Sequence, residues 1–314
     1  MTKLETNVGK GLVIKSTGSW YIVLDNKMEI PCRIKGKFRL KNLKTTNPVT
    51  VGDKVDYELN DDKTGLIINI EDRKNYIIRK STSFSKEAQL IAANIDLAFL
   101  MVSLKFPETP FEFIDRFLVT AEAYHIQCII LINKIDIINN EDVILLDNFI
   151  KTYSLAGYKS IPISVIKNTN ISEVITLLQN KICLVAGNSG VGKTSLINLL
   201  SPSLNLKTAE ISNYHKTGKH TTTFAELFCI NNNTYIIDSP GIRGFGLIDF
   251  EKSEIGLFFP EIFRISKNCK FYNCTHSHEP GCAVIQALDS HQIALSRYRS
   301  YLNMLNDKDE KYRS

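Results

Sequence analysis

The sequence predicts a multi-domain protein with three parts: a small N-terminal β-barrel, a central α/β domain with a largely parallel sheet, and a helical C-terminal part. Three observations predict this organisation. Short β-rich runs separated by Gly, Asn and Asp fill the first part, and near-continuous apolar runs alternate with helical stretches in the second. In the third part, a helical pattern surrounds a cluster of cysteine and histidine residues. The expected boundaries are residues 1–78, 79–245 and 246–314.

The N-terminal part has the pattern of a barrel of short strands. Turn-forming residues separate five predicted strands, Leu12–Ile14, Trp20–Leu24, Glu29–Ile34, Lys54–Leu59 and Gly65–Ile70. Residues 1–80 carry 16 Lys and Arg against 10 Asp and Glu, whereas the whole chain has a formal net charge of only +5. The positive charge is therefore concentrated in this part, which is compatible with a nucleic-acid partner.

Five cations alternate at a spacing of two around the end of the third predicted strand: Arg33, Lys35, Lys37, Arg39 and Lys41. In an extended strand this spacing places all of them on one face. Two interpretations remain open for this basic stripe: a solvated sheet face, or a surface that follows a phosphate backbone.

The composition excludes several classes of protein. No apolar run approaches the length of a membrane span, and the first ten residues lack the apolar core of a signal peptide, so a cytoplasmic protein without membrane contact is expected. Seven cysteines, an odd number, argue against a disulfide framework in that compartment.

The central part is predicted to contain strands that are covered on both faces. They are Ile95–Val102, Ile126–Ile132, Ser160–Ile163, Ile182–Ala186 and Tyr235–Ile237. Helices are predicted between them, among them one around residues 113–121 and one at Lys193–Leu200. The C-terminal part is predicted to finish with a helical segment from Ser290 to Leu305.

A glycine-rich segment between the fourth strand and a helix has the pattern of a phosphate-binding P-loop. It comprises Gly187, Asn188, Ser189, Gly190, Val191, Gly192, Lys193, Thr194 and Ser195. Its glycines allow backbone N–H groups to surround phosphates, and the helix N-terminus adds partial positive charge. Lys193 would reach the β- and γ-phosphates, and the Thr194 hydroxyl would bind Mg²⁺. The bare pattern also occurs by chance, but the preceding strand and following helix favour the P-loop.

A second motif, Asn133, Lys134, Ile135 and Asp136, ends the strand Ile126–Ile132. The Asp136 carboxylate can accept hydrogen bonds from N1–H and the 2-amino group of guanine, an arrangement of donors that adenine lacks. Asn133 and Lys134 would support the P-loop and cover the base. Ser164 follows another strand and is placed to contact the base through backbone N–H groups. Taken alone, the motif also resembles an ordinary turn.

Two further segments complete a nucleotide-switch pattern. Asp238 ends the strand Tyr235–Ile237 and can hold Mg²⁺ through water, and Gly241 offers an N–H near the γ-phosphate. Between this segment and the P-loop lies His220 with three threonines, of which Thr221 or Thr222 could complete the Mg²⁺ shell. The start of a β-strand is the alternative interpretation of these threonines.

The motifs run in an unusual order, with the base motif first, the P-loop second and the switch segments last. Ordinary small GTPases place the base motif last. Because the termini of compact α/β domains lie close together, joining them and cutting elsewhere preserves the site, and the order therefore predicts a circular permutation. The cut after Gly241 connects the switch directly to the C-terminal part, so loss of the γ-phosphate could act on that part.

The C-terminal cluster has the donor set of a closed zinc site. Cys269, Cys274, His276 and Cys282 supply three thiolates and one imidazole within 14 residues, which suits structural Zn²⁺ rather than a catalytic ion with an open position. His278 is a second candidate for the nitrogen ligand. Exposed reduced cysteines without a metal are the alternative.

Together these motifs resemble the ribosome small-subunit-dependent GTPase A family (RsgA type). The resemblance covers nearly the whole chain: the basic barrel, NKID, GNSGVGKTS, HTTT, DSPG and the Cys-Cys-His-Cys cluster. It implies an OB-fold, a circularly permuted GTPase domain that binds GTP or GDP with Mg²⁺, and a zinc-binding helical domain. It also implies cytoplasmic, monomeric action on the 30S subunit and its 16S rRNA in late maturation, with particle-stimulated hydrolysis.

Two points of mechanism remain open. Ile242 follows Gly241, where many GTPases carry a Gln that orients the attacking water, so slow intrinsic hydrolysis is expected. His220 is the nearest candidate for a water-positioning group, although a structural or RNA-contacting role is equally compatible. The alternative functions are a GTP-bound RNA-binding scaffold with little hydrolysis and an ATP-using kinase or ATPase; Lys193, Thr194 and Asp238 argue against the first, and Asp136 against the second.

Overall fold

The computed structural model of the chain describes residues 8–34, 48–80, 88–204, 225–231, 233–238 and 251–306. The described residues belong to two compact units. The first unit lies within residues 1–96, 178–184 and 216–243, and the second within residues 97–177, 185–215 and 244–314. Each unit is therefore assembled from stretches that are separated in sequence.

Five strands of the first unit form the predicted barrel. They are β1 (Val8–Ser16), β2 (Tyr21–Asp25), β3 (Met28–Ile34), β4 (Lys54–Leu59) and β5 (Gly65–Ile70). The ring closes because β1 pairs with both β2 and β4, and β5 joins β3 to β4. Alternate residues point inwards and form an apolar core that includes Val13, Tyr21, Val23, Val55 and Ile67. The prediction of a barrel is confirmed.

The first unit also contains strands that the sequence pattern did not predict. The strands β6 (Tyr76–Lys80) and β7 (Ala88–Ala93) form an antiparallel pair. Later in the chain, β12 (Glu226–Asn231) pairs antiparallel with β13 (Thr234–Asp238), which in turn pairs parallel with the first residues of β11 (Ile182–Gly187). The predicted strand Tyr235–Ile237 lies within β13, and the predicted strand Ile182–Ala186 lies within β11, whereas β6, β7 and β12 were not predicted.

The second unit contains the parallel α/β layer. Strand β9 (Cys128–Ile132) lies between β8 (Leu97–Val102) and β10 (Lys159–Pro162), parallel to both. Every residue of β8 and β9 is buried, as predicted from their continuous apolar runs. The helices of this layer are α1 (Phe111–Ala123), α2 (Val143–Leu155), α3 (Ile171–Leu178) and α4 (Lys193–Leu200).

The C-terminal part is helical and packs within the second unit. It comprises a 3₁₀ segment (Lys252–Phe258), α5 (Pro260–Ser266), α6 (Ala283–Asp289) and α7 (Leu295–Asn306). Its apolar core includes Phe259, Ile262 and Tyr301 and extends to Val119 of α1. The helical segment predicted from Ser290 begins only at Leu295, because α6 ends at Asp289 and a turn with His291 at φ 58° follows. None of the helices in the described ranges has the length and apolar character that a bilayer span requires.

A buried ion-pair cluster joins three helices of this unit. The Arg297 side chain of α7 is 1% exposed and donates to Glu261 of α5 at 2.7 Å and to Asp115 of α1 at 2.8 Å. The Tyr153 hydroxyl also donates to Asp115, and the Phe259 ring lies 4.6 Å from the guanidinium carbon. We call Arg297, Glu261 and Asp115 the Arg297 cluster. No local pattern in the sequence predicts it.

Candidate functional site

The glycine-rich segment has the backbone of a phosphate-binding loop. Gly187, Gly190 and Gly192 all have positive φ angles, of 144°, 81° and 102°. A Cβ atom on Gly187 would lie 2.2 Å from the Met101 carbonyl oxygen, and one on Gly192 would lie 2.4 Å from the Asn133 amide nitrogen. Side chains are therefore excluded at both positions, and the backbone can curve closely into the first turn of α4.

The Lys193 side chain turns back over this loop. Its ammonium group donates to the carbonyl oxygens of Gly187 and Asn188, both at 2.7 Å. Thr194 is the second residue of α4 and is partly exposed. This arrangement places a fixed positive charge and a hydroxyl beside the N-terminus of a helix, which is the chemistry that a nucleotide polyphosphate and Mg²⁺ require.

Asn133 connects the base motif to two other loops. Its side chain is 4% exposed; the amide nitrogen donates to the Val191 carbonyl at 2.8 Å, and the amide oxygen accepts from Val165 N–H at 3.2 Å. The structure therefore brings together the base motif, the phosphate loop and the loop after β10. This is the connection to the P-loop that the sequence predicted for Asn133.

The remaining base-motif residues lie at the carboxyl end of β9. Lys134 has φ 67°, and Ile135–Ile137 forms a 3₁₀ turn that presents Asp136 to solvent. The buried Ser164 hydroxyl donates to the Asp136 carboxylate at 2.5 Å and accepts from Lys167 N–H at 3.0 Å. The sequence predicted that Ser164 contacts the base through backbone N–H groups. The structure adds a side-chain contact, because the Ser164 hydroxyl orients Asp136, the proposed guanine acceptor.

The switch residues are only partly within the described chain. Asp238 is the last residue of β13, but its side chain lies outside the described residues. His220, Thr221, Thr222, Gly241 and Ile242 also lie outside them, so their predicted roles stay predictions.

The cysteine and histidine cluster has the geometry of a tetrahedral site. The ligand atoms of Cys269, Cys274, His276 and Cys282 all lie within 4.8 Å of one another. His276 Nδ1 is 3.6 Å from Cys269 Sγ and 3.5 Å from Cys282 Sγ, and these two sulfurs are 3.9 Å apart. Tetrahedral Zn²⁺ with bonds of about 2.0–2.3 Å implies separations of roughly 3.5–3.8 Å. The donor set therefore fits zinc.

Surrounding residues select and orient the histidine ligand. His276 is buried, and burial lowers its pKa, which favours the neutral imidazole that a metal requires. The Tyr298 and Tyr301 hydroxyls donate to the carbonyls of His276 and Thr275, both at 2.6 Å. His278 instead lies outside the cluster, with Nδ1 2.8 Å from the Ser277 hydroxyl. The structure thus places His276, rather than His278, with the three cysteines.

Glu279 fixes the loop that carries the histidine, and the sequence pattern missed it. Its carboxylate accepts from the Thr275 N–H at 2.7 Å, the Thr275 hydroxyl at 2.6 Å and the Ser277 N–H at 3.1 Å. An acidic residue three positions after a ligand is the signal that could have found it, since ligand loops are commonly held by such hydrogen bonds.

Only the first residue of the basic stripe lies in the described chain. Arg33, on β3, is exposed, and its guanidinium carbon lies 4.2 Å from the Trp20 ring centroid. Lys35, Lys37, Arg39 and Lys41 lie outside the described residues. A cation stacked on a half-buried aromatic ring is compatible with RNA binding and with a solvated sheet face alike.

Two family models match the chain. Residues 10–67 match the family described as RsgA N-terminal domain, and residues 70–248 match the family described as RsgA GTPase. These two ranges contain most of the barrel and all of the proposed nucleotide motifs.

Similar proteins share nearly the full length. A Bacteroides thetaiotaomicron protein named small ribosomal subunit biogenesis GTPase RsgA 2 is 52% identical, with 97% of this chain and 99% of the relative covered. A Flavobacterium johnsoniae protein, small ribosomal subunit biogenesis GTPase RsgA, is 49% identical over 97% of this chain and 95% of the relative. Among solved structures, YjeQ from Thermotoga maritima matches with a TM-score of 0.79 and 33% identity, covering 95% of this chain and 97% of that one. YloQ, described as a circularly permuted GTPase, matches with a TM-score of 0.75 and 31% identity, covering 97% and 96%.

Proposed function

The chain belongs to the RsgA GTPase family, and on that premise we propose that it hydrolyses GTP to GDP and phosphate while bound to the small ribosomal subunit. The proposed role is in late maturation of the 30S particle, with hydrolysis stimulated by the particle. The names of the relatives support this role, since they are called GTPases of small-subunit biogenesis.

One structural observation carries the nucleotide part of the proposal. The Asn133 side chain hydrogen bonds to both the phosphate loop and the loop after β10, so residues far apart in sequence surround one site. Asp136, whose carboxylate accepts from the Ser164 hydroxyl, would bind the base, and Lys193, which lies over the phosphate loop, would bind the phosphates. The distribution of polar groups thus matches a guanine base followed by a polyphosphate.

Each residue has a distinct proposed task. Asp136 accepts from the two guanine donors, and the backbone N–H groups of Gly187–Ser195 with Lys193 hold the phosphates. The Thr194 hydroxyl and Asp238 would hold Mg²⁺, which neutralises charge on the β- and γ-phosphates when bound. Thr221 or Thr222 and the N–H of Gly241 are proposed to sense the γ-phosphate, and His220 to position the attacking water.

The other proposed properties concern the whole protein. We propose one structural Zn²⁺ held by Cys269, Cys274, His276 and Cys282, whose donor geometry supports it. We also propose contact with 16S rRNA through the basic stripe, a cytoplasmic monomer without membrane contact, and functional parts at residues 1–78, 79–245 and 246–314. A GTP-bound scaffold with little hydrolysis is not favoured, because the relatives are named GTPases.

The deciding experiment is steady-state GTP hydrolysis with and without purified 30S subunits. ATP serves as the base-specificity control, and Lys193→Ala serves as the inactive reference. We expect strong stimulation by the particle that disappears in the variant and with ATP. Tight GTP binding without stimulation would contradict the proposal of a ribosome-coupled GTPase.

A further inference from the structure

The loop between β8 and α1 carries an aromatic ring that lies outside the apolar core. Phe106 is 76% exposed, and its φ of 49° is uncommon for a bulky residue. Such a conformation persists only where the surroundings fix it, and such positions cluster at functional sites.

The position of this loop is defined by two contacts to the nucleotide site. On one side, the Lys134 ammonium group donates to the Phe106 carbonyl oxygen. On the other, the Pro107 ring lies against the tip of the phosphate loop, since a Cβ atom on Gly190 would be 3.3 Å from Pro107 Cδ. The Phe106–Pro107 peptide therefore lies between the base motif and the phosphate loop.

Polar contacts fix the loop without help from the aromatic ring. Ser103 N–H donates to the Thr109 hydroxyl at 3.0 Å, and Thr109 N–H donates to the Ser103 carbonyl at 2.9 Å. Lys105 forms an ion pair with Asp142 at 2.6 Å. Because these contacts involve backbone and neighbouring side chains, the exposed ring of Phe106 is not what holds the loop in place.

On the basis of the proposed GTPase function, we propose that the Phe106 ring packs against the ribose and the adjoining edge of the bound guanine. The stem of Lys134 would run along the base, and its ammonium end reaches the Phe106 carbonyl. The backbone of Phe106 therefore lies at the ammonium end of the Lys134 side chain, beside the base motif. Contact with the nucleotide would bury apolar surface that is otherwise exposed to water. Since the ring contacts no phosphate in this arrangement, GDP and GTP should benefit equally.

The first test is calorimetric titration of GDP and GTPγS into wild-type protein and Phe106→Ala. We expect Kd to rise about tenfold for both nucleotides, equivalent to ~1.4 kcal/mol. The unfolding temperature without nucleotide should not change, because the ring is exposed. Tyr272→Ala is the matched control, since Tyr272 is a fully exposed aromatic residue in the zinc-ligand segment, and its Kd should equal that of wild type.

A second test reports contact directly. Trp20 is the only tryptophan of the chain, so Phe106→Trp in a Trp20→Phe background gives a single fluorescent reporter. Saturating GDP should shift or quench its emission. Unchanged emission, or a Phe106→Ala Kd within twofold of wild type, would overturn this inference while leaving the GTPase proposal intact. If wild-type protein bound neither nucleotide, the GTPase proposal itself would fail, and this inference with it.

Discussion

Asn133 is the residue at which the loops of the nucleotide site meet. Its amide uses one donor and one acceptor on backbone groups of two other loops, and the side chain is almost fully buried. Removing such an amide leaves buried polar groups without partners, which costs about 1–3 kcal/mol for each. Asn133 therefore acts as a support for the site as well as part of the base motif.

The base specificity can be tested at Asp136. We expect Asp136→Asn to weaken GTP binding at least about tenfold, because an amide cannot accept from both guanine donors. Xanthosine triphosphate carries an oxygen in place of the 2-amino group. The Asp136→Asn variant should therefore bind it more tightly than wild type does, because the amide NH₂ can donate to that oxygen. Competition titrations measure both changes. Asp147→Asn, an exposed carboxylate on α2, should alter neither affinity.

The water-positioning role can be tested at His220. We expect His220→Ala to lower GTP turnover in the presence of 30S subunits while leaving the Kd for GTP nearly unchanged. The reason is that Ile242 offers no side-chain group that could orient water. Full retention of particle-stimulated turnover in the variant refutes the role.

At the residue scale, sequence predicts a site most directly where ligand chemistry requires contiguous residues. The P-loop and NKID motif are such cases, because their spacing alone places donors and acceptors on one ligand. The contacts of Ser164 with Asp136 and of Lys134 with Phe106 join residues about 28 positions apart. No local pattern encodes such pairs, so they could not be predicted.

At the scale of elements, the ion pairs of the Arg297 cluster join helices α1, α5 and α7. One guanidinium pairs with two carboxylates, so its loss leaves two buried acidic groups without a cation. We expect Arg297→Met to destabilise the protein by about 3–5 kcal/mol. Arg299→Met removes an exposed arginine of the same helix and should leave the unfolding temperature nearly unchanged.

The same substitution should also change the pH dependence of stability. Burial raises the pKa of Asp115, although the Arg297 charge acts to lower it. A carboxyl group whose folded-state pKa is raised contributes stability below its unfolded pKa and loses it as the pH rises through the folded pKa. Without Arg297 the pKa rises further. The stability difference between Arg297→Met and wild type should therefore be smaller at pH 5 than at pH 8 in thermal unfolding; an equal difference would contradict this account.

The proposed zinc site packs against the same group of helices. We expect wild-type protein to contain about one Zn²⁺ per chain, and Cys274→Ser to lose the ion and unfold at lower temperature, because structural zinc contributes folding free energy. Elemental analysis and thermal unfolding measure the two effects. Cys229→Ser, an exposed cysteine outside the cluster, should retain both properties, and zinc retention in Cys274→Ser would contradict the assignment.

Element prediction depended on how completely a segment is buried. The fully buried strands β8 and β9 are evident from continuous apolar runs, and the barrel strands from short β-rich runs between turn-forming residues. By contrast, β12 is only half-buried and ends in Asn residues, which resemble a loop. The turn before Leu295 was missed because Ala and Ile continue the apolar pattern through it.

At the scale of the whole molecule, the positive charge is unevenly distributed, with its excess in residues 1–80. If the basic stripe contacts rRNA, Lys35→Ala with Lys37→Ala should weaken 30S binding and reduce the slope of log Kd against log salt by about two. Binding assays at several salt concentrations measure this. Lys151→Ala with Lys159→Ala removes the same charge from the second unit, so an equal reduction there would indicate only a general charge effect.

The order of the motifs predicted the permutation, but not how the chain is divided into compact units. Both units contain non-contiguous stretches, and β11 begins in one and ends in the other. Sequence composition changes near residue 80 and residue 246 and therefore suggested three consecutive parts, which stay a prediction. A compact unit consists of the segments that pack against one another. In this chain those segments are separated in sequence, so composition along the chain could not predict them.

The distance in sequence between Asp115 and Arg297 also bears on how the protein is made. The two residues are 182 positions apart, so α1 is made long before the helix that carries its ion-pair partner. A nascent polypeptide that has already produced the base motif and the P-loop still lacks the cation that neutralises the interior of α1. A chain that stops before α7 would leave Asp115 buried without its cation, so native packing around α1 depends on a helix that is synthesised much later.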